Sequence, residues 1–286
     1  MAFVRRRHEK PDSMDDTLNQ ALRQYSGVIA SGIEFIESQD YEWHYINSFD
    51  KVKLAGRYFD NNSTCTIFLF HGYRSNAPHD FCCAVEMYLK MGFNVFLADQ
   101  RAHGKSGGKL ITFGVKESRD VLEWVKYVNK TFAPKQIILS GISMGATTVL
   151  LSLYHKLPEN VKGVIADCGF TSPADIIVKV GKDNYKINAE FFIPFLDIAC
   201  RILGGFSIRN ISTLEAVKKS DLPIFFMHGE KDNFVPCEMT KATYQVCGEK
   251  CRMFLSKEAR HGMSFLTDTE ALLKEIKDFL IFCIDD

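Results

Sequence analysis

A serine flanked by glycines is the clearest candidate for a reactive side chain in this sequence. Residues 141–145 are Gly-Ile-Ser-Met-Gly, and they follow an apolar run at 136–140 that is typical of a buried strand. A serine at such a strand-to-helix turn projects its hydroxyl from the end of a sheet, and the small flanking residues let strand and helix approach closely. The pattern therefore predicts a nucleophile elbow carrying Ser143. An ordinary turn with a surface serine is the alternative for the motif taken alone.

A serine hydroxyl is a weak nucleophile near neutral pH, so it needs a histidine as base and a carboxylate to orient that histidine. In hydrolases with a nucleophile elbow these groups follow the order serine, acid, histidine. Asp232 follows a predicted strand at 223–228, and His261 lies in a loop after another at 252–255. Of the eight histidines, only His261 follows both Ser143 and Asp232. We therefore expect these three residues to form a catalytic triad, with Asp167, which ends a predicted strand at 162–166, as the alternative acid.

Acyl transfer also needs an oxyanion hole, in which backbone N–H groups bind the oxygen that becomes negative in the tetrahedral intermediate. One donor is expected to be Met144, the residue after the nucleophile. The second is expected from the loop that follows an apolar strand at 67–70, where the sequence continues His-Gly-Tyr-Arg-Ser-Asn. Tyr73 is the candidate in that loop.

The chain resembles the α/β-hydrolase superfamily, in particular the serine-aminopeptidase-like and monoglyceride-lipase-like esterases of bacteria. The matching segments are His-Gly-Tyr at 71–73, Asp-Gln-Arg-Ala-His-Gly-Lys-Ser at 99–106, the serine motif at 141–145, Gly-Glu-Lys-Asp at 229–232 and Arg-His-Gly at 260–262. The resemblance implies the α/β-hydrolase fold and a reaction that requires no cofactor and no metal. It also favours Asp232 over Asp167, because the segment at 229–232 reproduces the family's motif. Ala102 departs from the pattern, which usually has glycine there.

Composition and charge are those of an ordinary globular enzyme. Hydrophobic residues make up 46% of the 286 residues, and 35 Lys and Arg balance 35 Asp and Glu. A chain without a basic field is a poor partner for nucleic acid. We therefore expect a small-molecule ester or amide substrate and no nucleic-acid partner, and the sequence leaves the oligomeric state open.

The cysteines and the N-terminal residues bear on location. The nine cysteines are odd in number and have no framework spacing, so we expect reduced thiols in a cytoplasmic protein. The pairs Cys82/Cys83 and Cys247/Cys251 lack the spacing of a zinc finger, and no metal site is predicted. The basic residues 1–8 are followed by charged residues rather than the apolar core of a signal peptide, and no apolar run reaches the length of a membrane span.

The sequence predicts one α/β domain at 16–286, preceded by a mobile segment at 1–15. Apolar residues recur at helical spacing from Leu18 to Ile36, which predicts an amphipathic helix. Strands predicted at 42–48 and 52–59 form an antiparallel edge. Later strands near 67–70, 94–98, 136–140, 162–166, 223–228 and 252–255 alternate with helical segments. This alternation indicates a mostly parallel, doubly wound sheet.

Residues 171–218 are too many for a simple crossover, so we expect a small helical cap there. Its apolar residues share one helical face: Phe191, Phe192, Phe195, Leu196, Ala199, Ile202 and Leu203. We expect this face to lie above Ser143 and to bind an acyl chain or aromatic acid, although it could instead pack on the body or form a dimer contact.

These observations favour a serine hydrolase that cleaves a carboxylic ester through an acyl-enzyme. A peptidase or amidase would use the same triad and would be expected to bind a substrate amine with acidic residues of the cap: Asp175, Asp183, Glu190 and Asp197. A noncatalytic binding protein built on a hydrolase scaffold is the third possibility.

Overall fold

One eight-stranded sheet forms the centre of the protein in the computed structural model, which describes residues 3–5 and 16–284. The strands are β1 (Glu42–Asn47), β2 (Lys53–Phe59), β3 (Cys65–Phe70), β4 (Asn94–Asp99), β5 (Gln136–Ile142), β6 (Val161–Asp167), β7 (Ile224–Gly229) and β8 (Cys251–Ser256). Their order is β1-β2-β4-β3-β5-β6-β7-β8. The pairs β1–β2 and β2–β4 are antiparallel, and β3 to β8 pair in parallel. The predicted α/β-hydrolase fold, with its antiparallel N-terminal edge, is confirmed.

Helices cover both faces of this sheet. They are α1 (Asp16–Gln24), α2 (Ser26–Ser38), α3 (Ala77–Asp80), α4 (Ala84–Lys90), α5 (Glu117–Phe132), α6 (Met144–Ser152), α7 (Pro173–Tyr185), α8 (Ile193–Ala199), α9 (Thr213–Val217), α10 (Cys237–Gln245), α11 (Ser264–Thr267) and α12 (Thr269–Ile284). Single turns of 3-10 helix at Ala189–Phe192 and π-helix at Cys200–Gly204 flank α8. None of the helices in the described residues is long and apolar enough to cross a bilayer.

The central strands are buried because helices pack on each side of them. On one face, Phe68 and Phe96 pack with Trp124 of α5. On the other face, Ile67 packs with residues of α2, α4 and α12, including Phe279. Both layers are needed because a parallel strand such as β3 is apolar on both sides.

The N-terminal helical segment is divided where one continuous helix was expected. Tyr25 separates α1 from α2 with φ −102° and ψ 7°, just before Ser26 and Gly27, which are weak helix formers. In α2, Ile29, Gly32 and Ile36 are buried. A Cβ at Gly32 would lie 2.3 Å from the carbonyl oxygen of Cys82, so the glycine is what allows α2 to pack directly on the backbone between α3 and α4.

Residues 3–5 lie against the protein body. Val4 forms a bridge with Leu110, and the ring of Phe3 lies 5.2 Å from that of Phe113 and 5.9 Å from that of Phe206. These three residues therefore differ from the mobile segment that we expected at 1–15. The other residues of that segment lie outside the described part of the chain.

The cap at 171–218 is helical, as expected, but its apolar face points away from the body. Phe191, Phe195 and Ile202 are 70%, 63% and 77% exposed. On the opposite side of these turns, Ile193 and Cys200 are buried against other cap residues. Most of the predicted face is therefore exposed to solvent, whereas Leu196, which was assigned to the same face, packs against the buried Ile193 and Cys200.

The expectation that every cysteine is reduced is also corrected. Cys247 and Cys251 form a disulfide, and the other seven cysteines are free. The short turn between α10 and β8 brings the two Cα atoms to 6.1 Å, within the usual range for a disulfide.

Candidate active site

Ser143 occupies a strained turn between β5 and α6. Its φ of 56° and ψ of −117° are unusual for a residue with a side chain. A Cβ at Gly145 would lie 1.7 Å from the carbonyl oxygen of Phe70, and one at Gly141 would lie 2.2 Å from that of Gly145. The two glycines are therefore a steric requirement of the turn that carries the serine.

The structure brings Ser143, Asp232 and His261 together. His261 Nε2 lies 2.9 Å from Ser143 Oγ, and His261 Nδ1 lies 2.7 Å from Asp232 Oδ2. The three residues follow β5, β7 and β8, and these strands are parallel within one sheet. Their carboxyl ends therefore meet at the same edge, which explains how distant residues converge.

Asp232 is held as a charged group although it is buried. Burial by itself would raise its pKa, but the charge of His261 and the hydrogen bond with His228 lower the pKa well below the usual range. The other carboxylate oxygen accepts the backbone N–H groups of Phe234 and Val235 at 2.8 and 2.9 Å. This carboxylate is thereby fixed in place for an interaction with His261.

The imidazole of His261 is correspondingly disposed to take a proton. Burial favours its neutral form and lowers the pKa, but the charge of Asp232 and its hydrogen bond outweigh burial and raise the pKa above the ordinary value. His228, which sequence reasoning did not select, lies 3.0 Å from Asp232 Oδ2 through its Nε2 atom. The only feature of the sequence that pointed to a contact of His228 with Asp232 was its position four residues earlier in the chain.

Asp167, the alternative acid, lies nearby at the end of β6 without a hydrogen bond to His261 among those described. It is 3% exposed, and burial raises its pKa to about 7. Within the described part of the chain its Oδ1 atom has no hydrogen-bond partner. Among the described hydrogen bonds, His261 Nδ1 therefore contacts Asp232 and not Asp167.

The two expected oxyanion donors lie beside the serine. Met144 begins α6 and is fully buried, and Tyr73 follows β3 with its ring stacked 5.1 Å from that of Phe113. Asp80 of α3 accepts the N–H of Gly72 at 2.7 Å and the hydroxyl of Ser75 at 2.5 Å. Sequence reasoning missed Asp80, which fastens the loop that carries Tyr73.

The loop after β4 supports the same region. His103 Nε2 accepts the backbone N–H of Arg74 at 3.0 Å. Burial, together with the nearby His71, lowers the pKa of His103 to about 3, so its ring is neutral and suited to accept that bond. In this loop Ala102 has φ 63°, the left-handed conformation that the family's usual glycine adopts without strain. Ala102 thus adopts this conformation although it carries a side chain.

A cavity of about 260 Å³ opens beside Ser143. It is lined by the loop at 72–75, by α3 and the turn after it, by the ends of β5 to β7, and by α1, α2, α11 and α12. No residue of the cap at 171–218 lines it, so the expectation that the cap covers Ser143 is wrong. Instead, Ile176 of the cap helix α7 packs in one apolar cluster with Phe113, Phe170 and Met144.

One group of described residues has the composition of a metal site. Side-chain atoms of Cys168, Asp232 and His261 lie within 4.8 Å of one another. Burial raises the pKa of the Cys168 thiol well above its usual value, which keeps it protonated and a poor metal ligand. The other two side chains are bonded to each other.

Comparison with known proteins agrees with this geometry. Residues 66–191 match the family described as the alpha/beta hydrolase fold. An esterase from Pyrococcus furiosus superposes with a TM-score of 0.72 at 28% identity, covering 86% of this chain and 92% of the other. The uncharacterized protein YqkD of Bacillus subtilis is 28% identical over 75% of this chain and 70% of its own length. Protein bem46 of Schizosaccharomyces pombe is 26% identical over 85% and 77%. The chain has the α/β-hydrolase fold, and its similarity to these proteins supports a hydrolase.

Proposed function

We propose that this protein is a serine hydrolase that cleaves carboxylic esters of small molecules through an acyl-enzyme. The observation that carries the proposal is the continuous hydrogen-bonded series from Ser143 Oγ through the imidazole of His261 to Asp232, with distances of 2.9 and 2.7 Å. A hydroxyl in this arrangement gains a base at the distance that proton transfer requires.

In the first half of the reaction, Ser143 Oγ attacks the ester carbonyl carbon while His261 Nε2 accepts the hydroxyl proton. The carbonyl oxygen becomes negative and is bound by the backbone N–H groups of Tyr73 and Met144. His261 then gives its proton to the departing alkoxide, and an alcohol leaves. Water attacks the acyl-enzyme by the same steps, which releases the carboxylic acid and restores Ser143.

The residues that line the cavity favour an ester over an amide as the substrate. The four acidic cap residues that were candidates to bind a substrate amine do not line it. Its lining is dominated by apolar side chains, and similarity to the Pyrococcus furiosus esterase points to the same class of substrate. The expected cytoplasmic location stays a prediction.

Replacing the nucleophile is the primary test. Ser143→Ala should lower kcat for p-nitrophenyl butyrate by a factor on the order of 10⁶, because the attacking hydroxyl is lost. The same variant should fail to react with a fluorophosphonate, while Ser38→Ala, which changes an exposed serine at the end of α2, should react normally. Retention of more than about a tenth of the activity in Ser143→Ala would exclude Ser143 as the nucleophile. Aminoacyl-p-nitroanilides assayed in parallel would detect the amidase alternative.

A further inference from the structure

One wall of the cavity is built by the N-terminal helices. Leu22 of α1 and Ile29 of α2 line it, together with Phe265, Leu266 and Ile276 of α11 and α12. None of these five side chains is charged, and they come from opposite ends of the described chain. They form an apolar arm of the cavity, which we call the aliphatic arm.

The chemical character of the cavity changes from the aliphatic arm toward Ser143. The charged lining residues other than His261 belong to the loop after β3, to α3 and to the end of β6: Arg74, His79, Asp80 and Asp167. An ester has a polar carbonyl and an apolar chain, so the division of the cavity matches the division of such a substrate.

The wall formed by α2 has a fixed position. At Gly32 this helix lies directly on the backbone of Cys82, as described above, and Ile36 is fully buried in the core. Ile29 lies two turns before Ile36 on the same face of α2, and it is only 9% exposed. The neighbouring Val28 is 51% exposed and does not line the cavity. One helix therefore offers both a lining residue and a matched control.

We propose that the aliphatic arm binds the unbranched hydrocarbon chain of the ester, so that α1 and α2, and not the cap, determine chain-length preference. The inference rests on the proposed ester hydrolysis at Ser143. Transfer of each methylene from water to this arm strengthens binding about fourfold when the methylene is fully buried. Several buried methylenes therefore suffice for a strong preference between short and long chains.

Chain-length profiles of variants test the arm. In Leu22→Trp and Ile29→Trp, the larger ring occupies the arm, so the ratio of kcat/KM for p-nitrophenyl octanoate to that for the acetate should fall at least about tenfold. Val28→Trp should keep the wild-type ratio. The ratio of kcat/KM for octyl acetate to that for ethyl acetate, measured in the same variants, shows whether the acyl or the alkoxy chain enters the arm. The proposal would be overturned if Leu22→Trp and Ile29→Trp both kept the wild-type ratio of kcat/KM for long to short chains, in the acyl series and also in the alkoxy series.

A second measurement uses the unaltered protein and does not depend on how the variants fold. Cys83 lines the same cavity as the arm and is partly exposed, so its rate of alkylation by iodoacetamide reports whether a long chain occupies the cavity. Reaction of Ser143 with a long-chain alkyl fluorophosphonate should slow alkylation of Cys83 severalfold more than reaction with the methyl analogue. The proposal would be refuted if the long-chain and methyl reagents left the same rate of Cys83 alkylation, both when the chain is carried on the phosphorus and when it is carried on the alkoxy oxygen. Failure of both reagents to label Ser143 would instead refute the proposed function.

Discussion

At the residue scale, the charge of Asp232 controls the behaviour of His261. The carboxylate lies 2.7 Å from Nδ1 of the ring and keeps its negative charge despite burial. In the proposed mechanism its charge stabilises the imidazolium that forms when Ser143 gives up a proton, which is the role expected of the acid in a triad. The same interaction raises the pKa of His261 in the free enzyme.

The raised pKa predicts a particular pH profile. In the proposed mechanism neutral His261 is the base, so kcat/KM should fall as pH drops through its pKa, with a midpoint above the ordinary value of about 6.5. Asp232→Asn removes the charge and should move this midpoint to lower pH, in addition to reducing the rate. Activity is measured from pH 5 to 9 at constant ionic strength, and samples returned to pH 8 control for unfolding. A flat profile down to pH 5 would contradict the role of His261.

The sequence predicted the three side chains that lie together at the candidate site better than the groups that hold them in place. Ser143, Asp232 and His261 were accessible because their short motifs occur in a fixed chain order. His228, Asp80 and the neutral ring of His103 were missed, since their partners are set by backbone turns that no motif specifies. For Asp80 the partner is the N–H of Gly72, eight residues away across a loop and a single helical turn.

At the element scale, Arg101 connects the loop after β4 to α5 and to the turn between β1 and β2. Its guanidinium donates to Asp120 of α5 at 2.6 Å and to Asp50 between β1 and β2 at 3.0 Å. Both Arg101 and Asp120 are almost fully buried. The loop after β4, which supports the loop carrying Tyr73, is thereby anchored to α5.

Removing Arg101 should be costly to stability. Arg101→Ala leaves the buried Asp120 carboxylate without its cation, so the free energy of unfolding at pH 7 should fall by about 3–5 kcal/mol. Urea denaturation followed by circular dichroism measures the change. Lys126→Ala, which breaks an exposed pair with Glu123, is the control and should change the same quantity by less than about 1 kcal/mol. Equal effects of the two substitutions would show that the Arg101 pair is not a structural anchor.

Element types were predictable from sequence, whereas the environment of an exposed face was not. The eight strands lie where β-branched and aromatic runs predicted them, and those from β2 to β7 are largely buried, whereas the edge strand β1 has no buried residue. The cap differs, since periodicity reveals that Phe191, Phe195 and Ile202 share a face but not what covers that face. The sequence also did not predict that α1 and α2 line the cavity, because Leu22 and Ile29 have the spacing of any core residue.

At the scale of the whole molecule, stability depends on covering both faces of the sheet. Trp124 and Phe279 are among the large side chains that are fully buried, one on each face. Loss of either layer would expose parallel strands that are apolar on both sides. The C-terminal helix α12 is therefore part of the core.

Truncating a core residue of α12 tests this view. Phe279→Ala should lower the free energy of unfolding by about 3–5 kcal/mol, because a large buried ring is replaced by a void. Ile281→Ala lies two residues further on the same helix at a position that is 48% exposed, and it should have a much smaller effect. Thermal and urea denaturation provide the measurement. Similar losses for both variants would indicate that α12 is not packed as described.

The order in which the ribosome makes these elements has a consequence for when activity arises. The base His261 and the wall residues Phe265 and Ile276 all follow β8, the final strand of the sheet. A nascent chain that ends at β8 carries Ser143 and Asp232 but lacks His261, the proposed base, and three of the five residues of the aliphatic arm. Hydrolytic capacity should therefore be acquired only when α11 and α12 have emerged and docked, so that unfinished polypeptides stay inert toward cellular esters.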